Sequence, residues 1–261
     1  MTRMSFAARV GMARGGVLAF SAIAIGTVAD AAEVKVLTSV ALTSALDELA
    51  PQFERATGNK LTIGYSLIAD IRKRILEGES ADVIILSRPV LDELQKQDKI
   101  AAGTITNIAG TAVSVAARAG APKPDMSSVD AFKRSLLAAK SIVYADPAKG
   151  GASGVYFARV LDRLGIAEQM KPKTILVPGA QAAEVVAKGE AELGVAQASE
   201  IVPVAGAQLV GPLPGEYASV TVFSAGVGAG TKAPEAAKSL IQFLTGPTAA
   251  PLFKSKGFEP G

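Results

Sequence analysis

Short, continuous apolar runs alternate with longer stretches of helical spacing over the first part of the chain. Runs at residues 34–37, 61–65 and 82–86 predict three β-strands. Between these strands, apolar residues three and four positions apart predict two helices. Ser44 is expected to cap the first helix, and Pro51 to bend or restart it. Continuous apolar runs are typical of strands covered on both faces, so the pattern predicts a parallel sheet between layers of helices.

A second set of alternating elements follows a proline-rich linker at residues 119–125. The pattern predicts a long crossing strand, further strands and helices, and two closing helices at residues 111–118, 129–139, 141–144, 174–177, 182–188, 193–197, 207–210, 220–225, 234–244 and 247–256. We therefore expect an α/β protein of two lobes with a ligand crevice between them. Residues 32–114 and 209–261 are expected to form one lobe, and residues 115–208 the other.

A glycine-rich stretch at residues 146–159 joins a predicted strand to a predicted helix within the second set. Small residues there would let a ligand approach the backbone, and the first N–H groups of the helix would be free to bind an anion. Ser153 and Gly154 are the candidate contacts. The alternative is a tight turn in which Ser153 only caps the helix. The glycine spacing matches neither a phosphate-binding loop nor a dinucleotide-binding pattern, so a nucleotide is not indicated.

The first 31 residues have the pattern of a cleavable signal peptide. Three arginines precede an apolar run at residues 17–29, and small residues at positions 29 and 31 predict cleavage near Ala31. The apolar run is short for a membrane span, although an uncleaved anchor is the alternative. We therefore expect a secreted protein of the periplasm that begins near residue 32.

Charge and composition narrow the function classes. The chain has 27 basic and 24 acidic residues, a net charge of +3, and the three arginines and one aspartate of the predicted signal peptide contribute +2 of it. A mature chain near neutrality, without a cluster of basic and aromatic residues, argues against nucleic-acid binding. The sequence has no cysteine and no histidine, which excludes disulfides, thiolate nucleophiles, histidine-based triads and histidine-based zinc sites. We expect no metal and no cofactor.

Loops at the carboxyl ends of the predicted strands should meet at one crevice, because ligands of open α/β sheets bind there. These loops are rich in hydroxyls, amides and backbone N–H groups, which suit a carboxylate or another oxyanion. The candidate ligand contacts are Ser39, Tyr65, Ser66, Arg88, Arg118, Ser153, Gly154, Gln197 and Ser199. Arg88 could clamp a carboxylate with two hydrogen bonds, or it could pair with Asp92 one helical turn away.

Four segments of the sequence match a known family: residues 36–53, 78–83, 146–147 and 186–195. In these segments the chain resembles periplasmic solute-binding proteins of the type II fold, in the branch that contains molybdate-binding proteins and a periplasmic aconitate isomerase. The resemblance covers nearly the whole mature chain and implies the two-lobed fold. It also implies oxyanion contacts by Ser39 and Ser66, whereas the aromatic residue expected near Gln197 in molybdate binders is not evident.

The resemblance implies two possible functions. The first is binding of a small anion, an organic di- or tricarboxylate rather than molybdate, by a monomer that serves the membrane permease of an ABC transporter. The second is cofactor-independent interconversion of cis- and trans-aconitate, a 1,3-proton shift in which one side chain takes and returns a proton. The candidates for that role are Tyr65, Tyr156, Glu184 and Glu200. Binding is the first expectation, because most proteins of this fold only bind, and isomerisation is the alternative.

Overall fold

One curled sheet organises residues 31–261, as seen in a computed structural model that describes residues 1–2 and 31–261. The predicted signal peptide lies almost entirely outside the described residues. The strands are β1 (Glu33–Ser39), β2 (Lys60–Ser66), β3 (Val83–Ser87), β4 (Thr106–Arg118), β5 (Ile142–Ala145), β6 (Thr174–Val177), β7 (Leu193–Gln197), β8 (Ala207–Pro212), β9 (Val220–Val227) and β10 (Glu259–Pro260). The helices are α1 (Thr43–Thr57), α2 (Ile68–Leu76), α3 (Arg88–Lys96), α4 (Val129–Ala138), α5 (Ala152–Arg163), α6 (Ala167–Met170), α7 (Ala182–Lys188), α8 (Ala198–Ile201), α9 (Pro234–Leu244) and α10 (Ala250–Ser255).

Each half of the sheet has a parallel core of three strands. β1 pairs in parallel with β2 and β3, and β5 pairs in parallel with β6 and β7. The strand order is β2-β1-β3-β9-β4-β7-β5-β6, with β8 and β10 also paired to β4. The predicted α/β fold of two lobes is confirmed, because helices separate the parallel strands in both halves of the chain.

The long strand β4 belongs to both halves of the sheet. Its residues 106–112 pair with β9, and its residues 113–118 pair with β7 and β8. β4 begins five residues before the predicted start at residue 111, because hydrogen bonds to β9 and β10 extend it there. The position where β4 changes partners lies between Ala112 and Val113, at the middle of the sheet.

The halves have separate apolar cores. In the first half, the predicted inward face of α1 is buried: Leu42, Ala45, Leu46, Leu49 and Phe53. In the second half, Phe132, Phe157 and Val195 belong to another buried cluster, in which Tyr144 meets Phe157 edge to face. Among the described residues, no helix combines the length and apolar content needed to cross a bilayer.

Three local predictions about helices needed correction. α1 runs without interruption from Thr43 to Thr57, although Pro51 was expected to bend or restart it. Proline has no N–H, so the backbone carbonyl four residues earlier loses its helical partner. Because position 51 is exposed, this carbonyl can bond to water instead. Ser44 lies inside the helix rather than at its cap, and Ser39 caps the preceding 3-10 turn instead. The last helix begins at Ala250 rather than at residue 247.

Gly154 shows how closely α5 packs on β5, and this contact gives the first prediction. A Cβ at Gly154 would lie 2.0 Å from the carbonyl oxygen of Ala145. We expect Gly154→Ala to lower the free energy of unfolding by about 1–3 kcal/mol, because α5 must move away from the strand. Gly230→Ala is the matched control, since a Cβ there has no neighbour within 4 Å among the described residues. Urea titrations that give both variants equal stability would contradict the close packing.

Candidate functional site

A narrow cleft opens where the carboxyl ends of β1, β5 and β7 meet. The space in it that can hold solvent is about 20 Å³, which is room for about one water molecule, so the cleft is nearly closed. Its wall is formed by Ser39, Val40, Ala41, Leu67, Ile68, Ala145, Gly151, Ala152, Ser153, Gly179, Ala180, Gln197, Glu200 and Phe223. The cleft is therefore where the fold predicts a ligand, at the ends of strands from both halves of the sheet.

Two helices begin at the wall of this cleft. The N-cap residues are Leu67 for α2 and Gly151 for α5, and no side chain of the described residues caps either helix. The first N–H groups of these helices therefore remain available, and the positive ends of both helix dipoles add to them. On the β1 side, Ser39 Oγ accepts a hydrogen bond from the Ala41 N–H at 3.4 Å, so its own proton remains available to a ligand. This arrangement favours a small anion.

The glycine-rich stretch brings the two sides of the cleft together. Gly150 has a φ of +76°, and a Cβ there would lie 2.5 Å from Ala69 Cβ. A Cβ on Gly151 would lie 3.8 Å from Leu67 Cδ2. These contacts require glycine at position 150 on two grounds, backbone conformation and space. The structure thus describes the cleft with its sides in contact.

Glu200 is the one ionisable side chain on the cleft wall among the described residues. Its Oε2 accepts a hydrogen bond from the Gln197 N–H at 3.1 Å. Burial disfavours the charged form and raises the pKa of Glu200 to about 7, while the Gln197 N–H opposes that shift. A carboxyl group with this pKa can both take and release a proton near neutral pH.

Three of the predicted contacts line the cleft: Ser39, Ser153 and Gln197. All three are buried. Gly151, not Ser153, is the N-cap of α5, so Ser153 lies in the first turn of the helix and at the cleft wall. The Gln197 side chain donates from Nε2 to Thr221 Oγ1 at 2.8 Å, which fixes it beside Glu200.

The other predicted contacts on the β2 and α5 sides lie outside the cleft wall. Tyr65 donates its hydroxyl proton to Asp47 Oδ1 at 2.7 Å, and Ser66 donates to Asp70 Oδ2 at 2.5 Å. Burial and the Asp47 carboxylate raise the pKa of Tyr65, which makes its deprotonated form less accessible. Gly154 faces β5, as described above. We therefore leave these residues out of the proposed contact set.

The predicted arginine contacts also lie outside the cleft. Arg88 is exposed and pairs with Asp92, Nε to Oδ1 at 2.8 Å, which is the alternative that the sequence left open. Arg118 is exposed and follows Val113 by five residues, about 17 Å along an extended strand. Ser199 is buried next to Glu200 but does not reach the wall.

Of the four candidate proton carriers, only Glu200 lies at the cleft. Tyr156 donates its hydroxyl proton to the Tyr217 carbonyl at 3.0 Å, and Glu184 is exposed on α7. Phe223 lines the cleft without having been predicted, because the alternation within β9 does not show which face meets the crevice. No group of three or more acidic side chains within residues 1–2 and 31–261 is arranged to hold a metal ion.

The buried carboxyl of Glu200 predicts a pH-dependent stability. The pKa of Glu200 is raised from 4.5 in the unfolded chain to about 7 in the fold. The free energy of unfolding is therefore unaffected by Glu200 below pH 4.5, decreases as the pH rises from 4.5 to 7, and stays at the lower value above pH 7. We expect Glu200→Gln to gain about 3 kcal/mol of stability relative to the wild type between pH 4.5 and pH 7.5. Denaturant titrations at several pH values measure this gain, with exposed Glu184→Gln as the control. Parallel stability curves for wild type and Glu200→Gln would contradict the burial of the carboxyl.

Known proteins provide an independent comparison for this fold and cleft. Residues 34–259 match the family model of a bacterial extracellular solute-binding protein. Aconitate isomerase from Pseudomonas sp. is 35% identical over 231 residues, which are 86% of this chain and 87% of that protein. The molybdate-binding protein ModA from Azotobacter vinelandii is 30% identical over 251 residues, which are 93% of this chain and 96% of that protein.

The solved structures give the same fold. The periplasmic molybdate-binding protein of Azotobacter vinelandii matches with a TM-score of 0.71 at 22% identity, covering 86% of this chain and 98% of that one. The substrate-binding domain of a putative molybdenum ABC transporter from Clostridium difficile matches with a TM-score of 0.70 at 19% identity, covering 88% of this chain and 100% of that one. The chain belongs to the bacterial extracellular solute-binding protein family, and within it to the proteins similar to ModA and aconitate isomerase.

Proposed function

We propose that this protein is a periplasmic isomerase that interconverts cis- and trans-aconitate without a cofactor, with Glu200 as the proton carrier. The observation that carries the proposal is the position of Glu200, the ionisable side chain on the described wall of the cleft, with a pKa of about 7. The 35% identity to aconitate isomerase supports the same reaction. Together these observations favour isomerisation over simple binding, which reverses the order expected from the sequence.

With its two sides moved apart, the cleft would hold the substrate by its carboxylates. The free N–H groups at the starts of α2 and α5 and the hydroxyls of Ser39 and Ser153 are the proposed donors. These donors are dipoles and carry no full positive charge. A further carboxylate of the substrate would lie near the mouth of the cleft. There the exposed Lys149, the neighbour of Gly150 in the chain, would supply a positive charge.

The proton shift needs one base that faces the substrate's CH2 carbon. The Glu200 carboxylate takes a proton from that carbon, and the electron pair forms a new double bond to the central carbon. The electrons of the old double bond then take the proton back from Glu200 at the other end of the three-carbon unit. No atom is gained or lost, the carboxylate is regenerated, and the new double bond can form in either geometry.

Stabilisation of the charge that develops during this shift is the main task of the cleft. The electron pair released at carbon spreads onto the adjacent substrate carboxylate, whose oxygens would face the N-terminus of a helix. Donors that are already oriented stabilise that charge without reorganising during the reaction. The Gln197 N–H, which bonds Glu200 Oε2, keeps the base pointing along the wall.

The second candidate function is binding of an organic di- or tricarboxylate by a monomer that delivers it to the permease of an ABC transporter. The similarity to molybdate-binding proteins over nearly the whole chain supports it. Molybdate itself is less favoured as the ligand, because Gln197 stands near the position where an aromatic residue is expected and lies beside the ionisable Glu200. In this function Glu200 would be a neutral hydrogen-bond donor to a carboxylate.

Turnover of cis-aconitate distinguishes the two functions. We expect purified wild-type protein, with EDTA present, to form trans-aconitate in a proton NMR assay. Glu200→Gln should lower kcat by at least about a thousandfold and change the Kd for trans-aconitate by less than about tenfold, since the amide keeps the shape but cannot take a proton. Exposed Glu184→Gln is the control and should retain wild-type kcat.

The pH profile belongs to the same test. The value of kcat/KM should rise with pH up to about 7 and then level off, because the ionised form of Glu200 starts the reaction. Calorimetric binding of aconitate by wild-type protein without any turnover would instead identify a binding protein. Tight binding of molybdate and tungstate without binding of tricarboxylates would contradict both proposals.

Ser153 and Arg88 offer a direct comparison of a cleft residue with a residue outside it. Ser153→Ala should weaken trans-aconitate binding by about tenfold, the value of one hydrogen bond to a charged group. Arg88→Ala should change Kd by less than about threefold, because an exposed ion pair contributes little. Calorimetry with both variants measures the difference. A larger loss for Arg88→Ala would move the anion site towards the end of β3.

A further inference from the structure

Thr111 lies fully buried in β4, two residues before the strand changes partners. Its Oγ1 accepts a hydrogen bond from the Ser199 N–H at 3.1 Å and donates to the Gly257 carbonyl oxygen at 3.2 Å. One hydroxyl thus joins the central strand, the first turn of α8 and the turn that follows α10. α8 has only four residues, so its first N–H groups depend on partners outside the helix.

Thr221 on β9 contacts the start of α8 at a second point. Thr111 and Thr221 are directly opposite each other in the antiparallel pair, so their side chains lie on one face of the sheet. Thr221 Oγ1 accepts the hydrogen bond from Gln197 Nε2 at 2.8 Å. Gln197 is the N-cap of α8, and Ser199 is its second residue. The two threonines therefore bind Gln197 and Ser199, two of the three residues that immediately precede Glu200.

The turn at Gly257 closes over α8 from the other side. Gly257 has a φ of +84°, and a Cβ there would lie 2.8 Å from the Ala198 carbonyl oxygen and 3.0 Å from Val202 Cγ2. Only glycine meets both the backbone conformation and the available space. A C-terminal turn is thus packed directly on the short helix that carries the carboxyl group of the cleft.

We propose that Thr111, Thr221 and the Gly257 turn form a positioning bracket, which holds α8 so that the Glu200 carboxyl stays at the cleft wall. The inference rests on the proposed function for its effect on kcat, but the bracket itself can be tested without turnover. Thr111 is a positioning residue, because it acts through α8 and does not reach the cleft. Small displacements of a reacting group reduce rates far more than they reduce substrate binding.

Thr111→Val removes the hydroxyl and keeps the shape of the side chain. We expect kcat for aconitate to fall at least tenfold with KM within threefold of wild type, and the inflection of the pH profile to move to lower pH as water reaches the loosened carboxyl. Thr111→Ser restores the hydroxyl and should restore both kcat and the inflection. Gly228→Ala controls for lost stability, since its Cβ would lie 2.0 Å from the Ala81 carbonyl oxygen, at the end of β9 away from the cleft.

A carboxyl titration separates the bracket from the proposed reaction. In protein labelled with carbon-13 at the glutamate carboxyl, the Glu200 resonance should titrate at lower pH in Thr111→Val than in wild type and Thr111→Ser, whether or not aconitate is turned over. Should Thr111→Val fail to fold, Thr221→Val should produce the same direction of change. Equal titration in all folded variants, or a loss of kcat in Gly228→Ala as large as in Thr111→Val, would overturn the proposal. Absence of turnover in wild type would refute the isomerase and leave the titration to decide on the bracket.

Discussion

The pairing of β4 with two different sets of strands is the constraint on which the cleft depends. Up to Ala112 the strand bonds β9, and from Val113 it bonds β7 and β8. A strand shared in this way sets the distance between the halves, because each half is built on backbone hydrogen bonds to the same chain segment. The carboxyl ends of β1, β5 and β7 consequently face one another across a narrow gap. Loops that follow these strands can then contribute to a single site although they are far apart in sequence.

Close backbone approach sets the width of that gap. Gly150 allows the start of α5 to touch Ala69, and Gly257 allows the C-terminal turn to touch α8. At both positions a side chain would push an element that carries cleft residues. Glu200 lies partly buried at the same gap and has no charged neighbour among the described residues of the cleft wall to favour its ionised form. Desolvation by the surrounding side chains and backbone raises its pKa, and the Gln197 N–H opposes that shift.

The elements that could be predicted from sequence are those with local boundaries. β6, β7, α7 and α9 have their predicted ends, because glycine, proline or a polar turn flanks each of them. The start of β4 was missed because its pairing with β9 and β10 is tertiary.

In the site, Ser39, Ser153 and Gln197 could be predicted from their place at strand ends and helix starts. Arg88 and Tyr65 occupy similar places, but local carboxylates, Asp92 and Asp47, turn them away from the cleft, and no sequence pattern decides between such partners. The burial of Glu200 likewise depends on distant segments.

A cleft that binds anions needs few changes to become catalytic. Helix N-termini hold carboxylates without placing a proton acceptor near the substrate, so such a cleft binds and releases its ligand unchanged. Adding one carboxyl group that is buried and free of a cationic partner provides an acceptor whose affinity for protons matches neutral pH. A salt bridge at that carboxyl would lower its pKa and leave a poor base. No basic side chain lies on the described cleft wall. In the proposed enzyme, dipoles therefore stabilise the charge on the substrate, and Glu200 keeps the basicity that proton transfer requires.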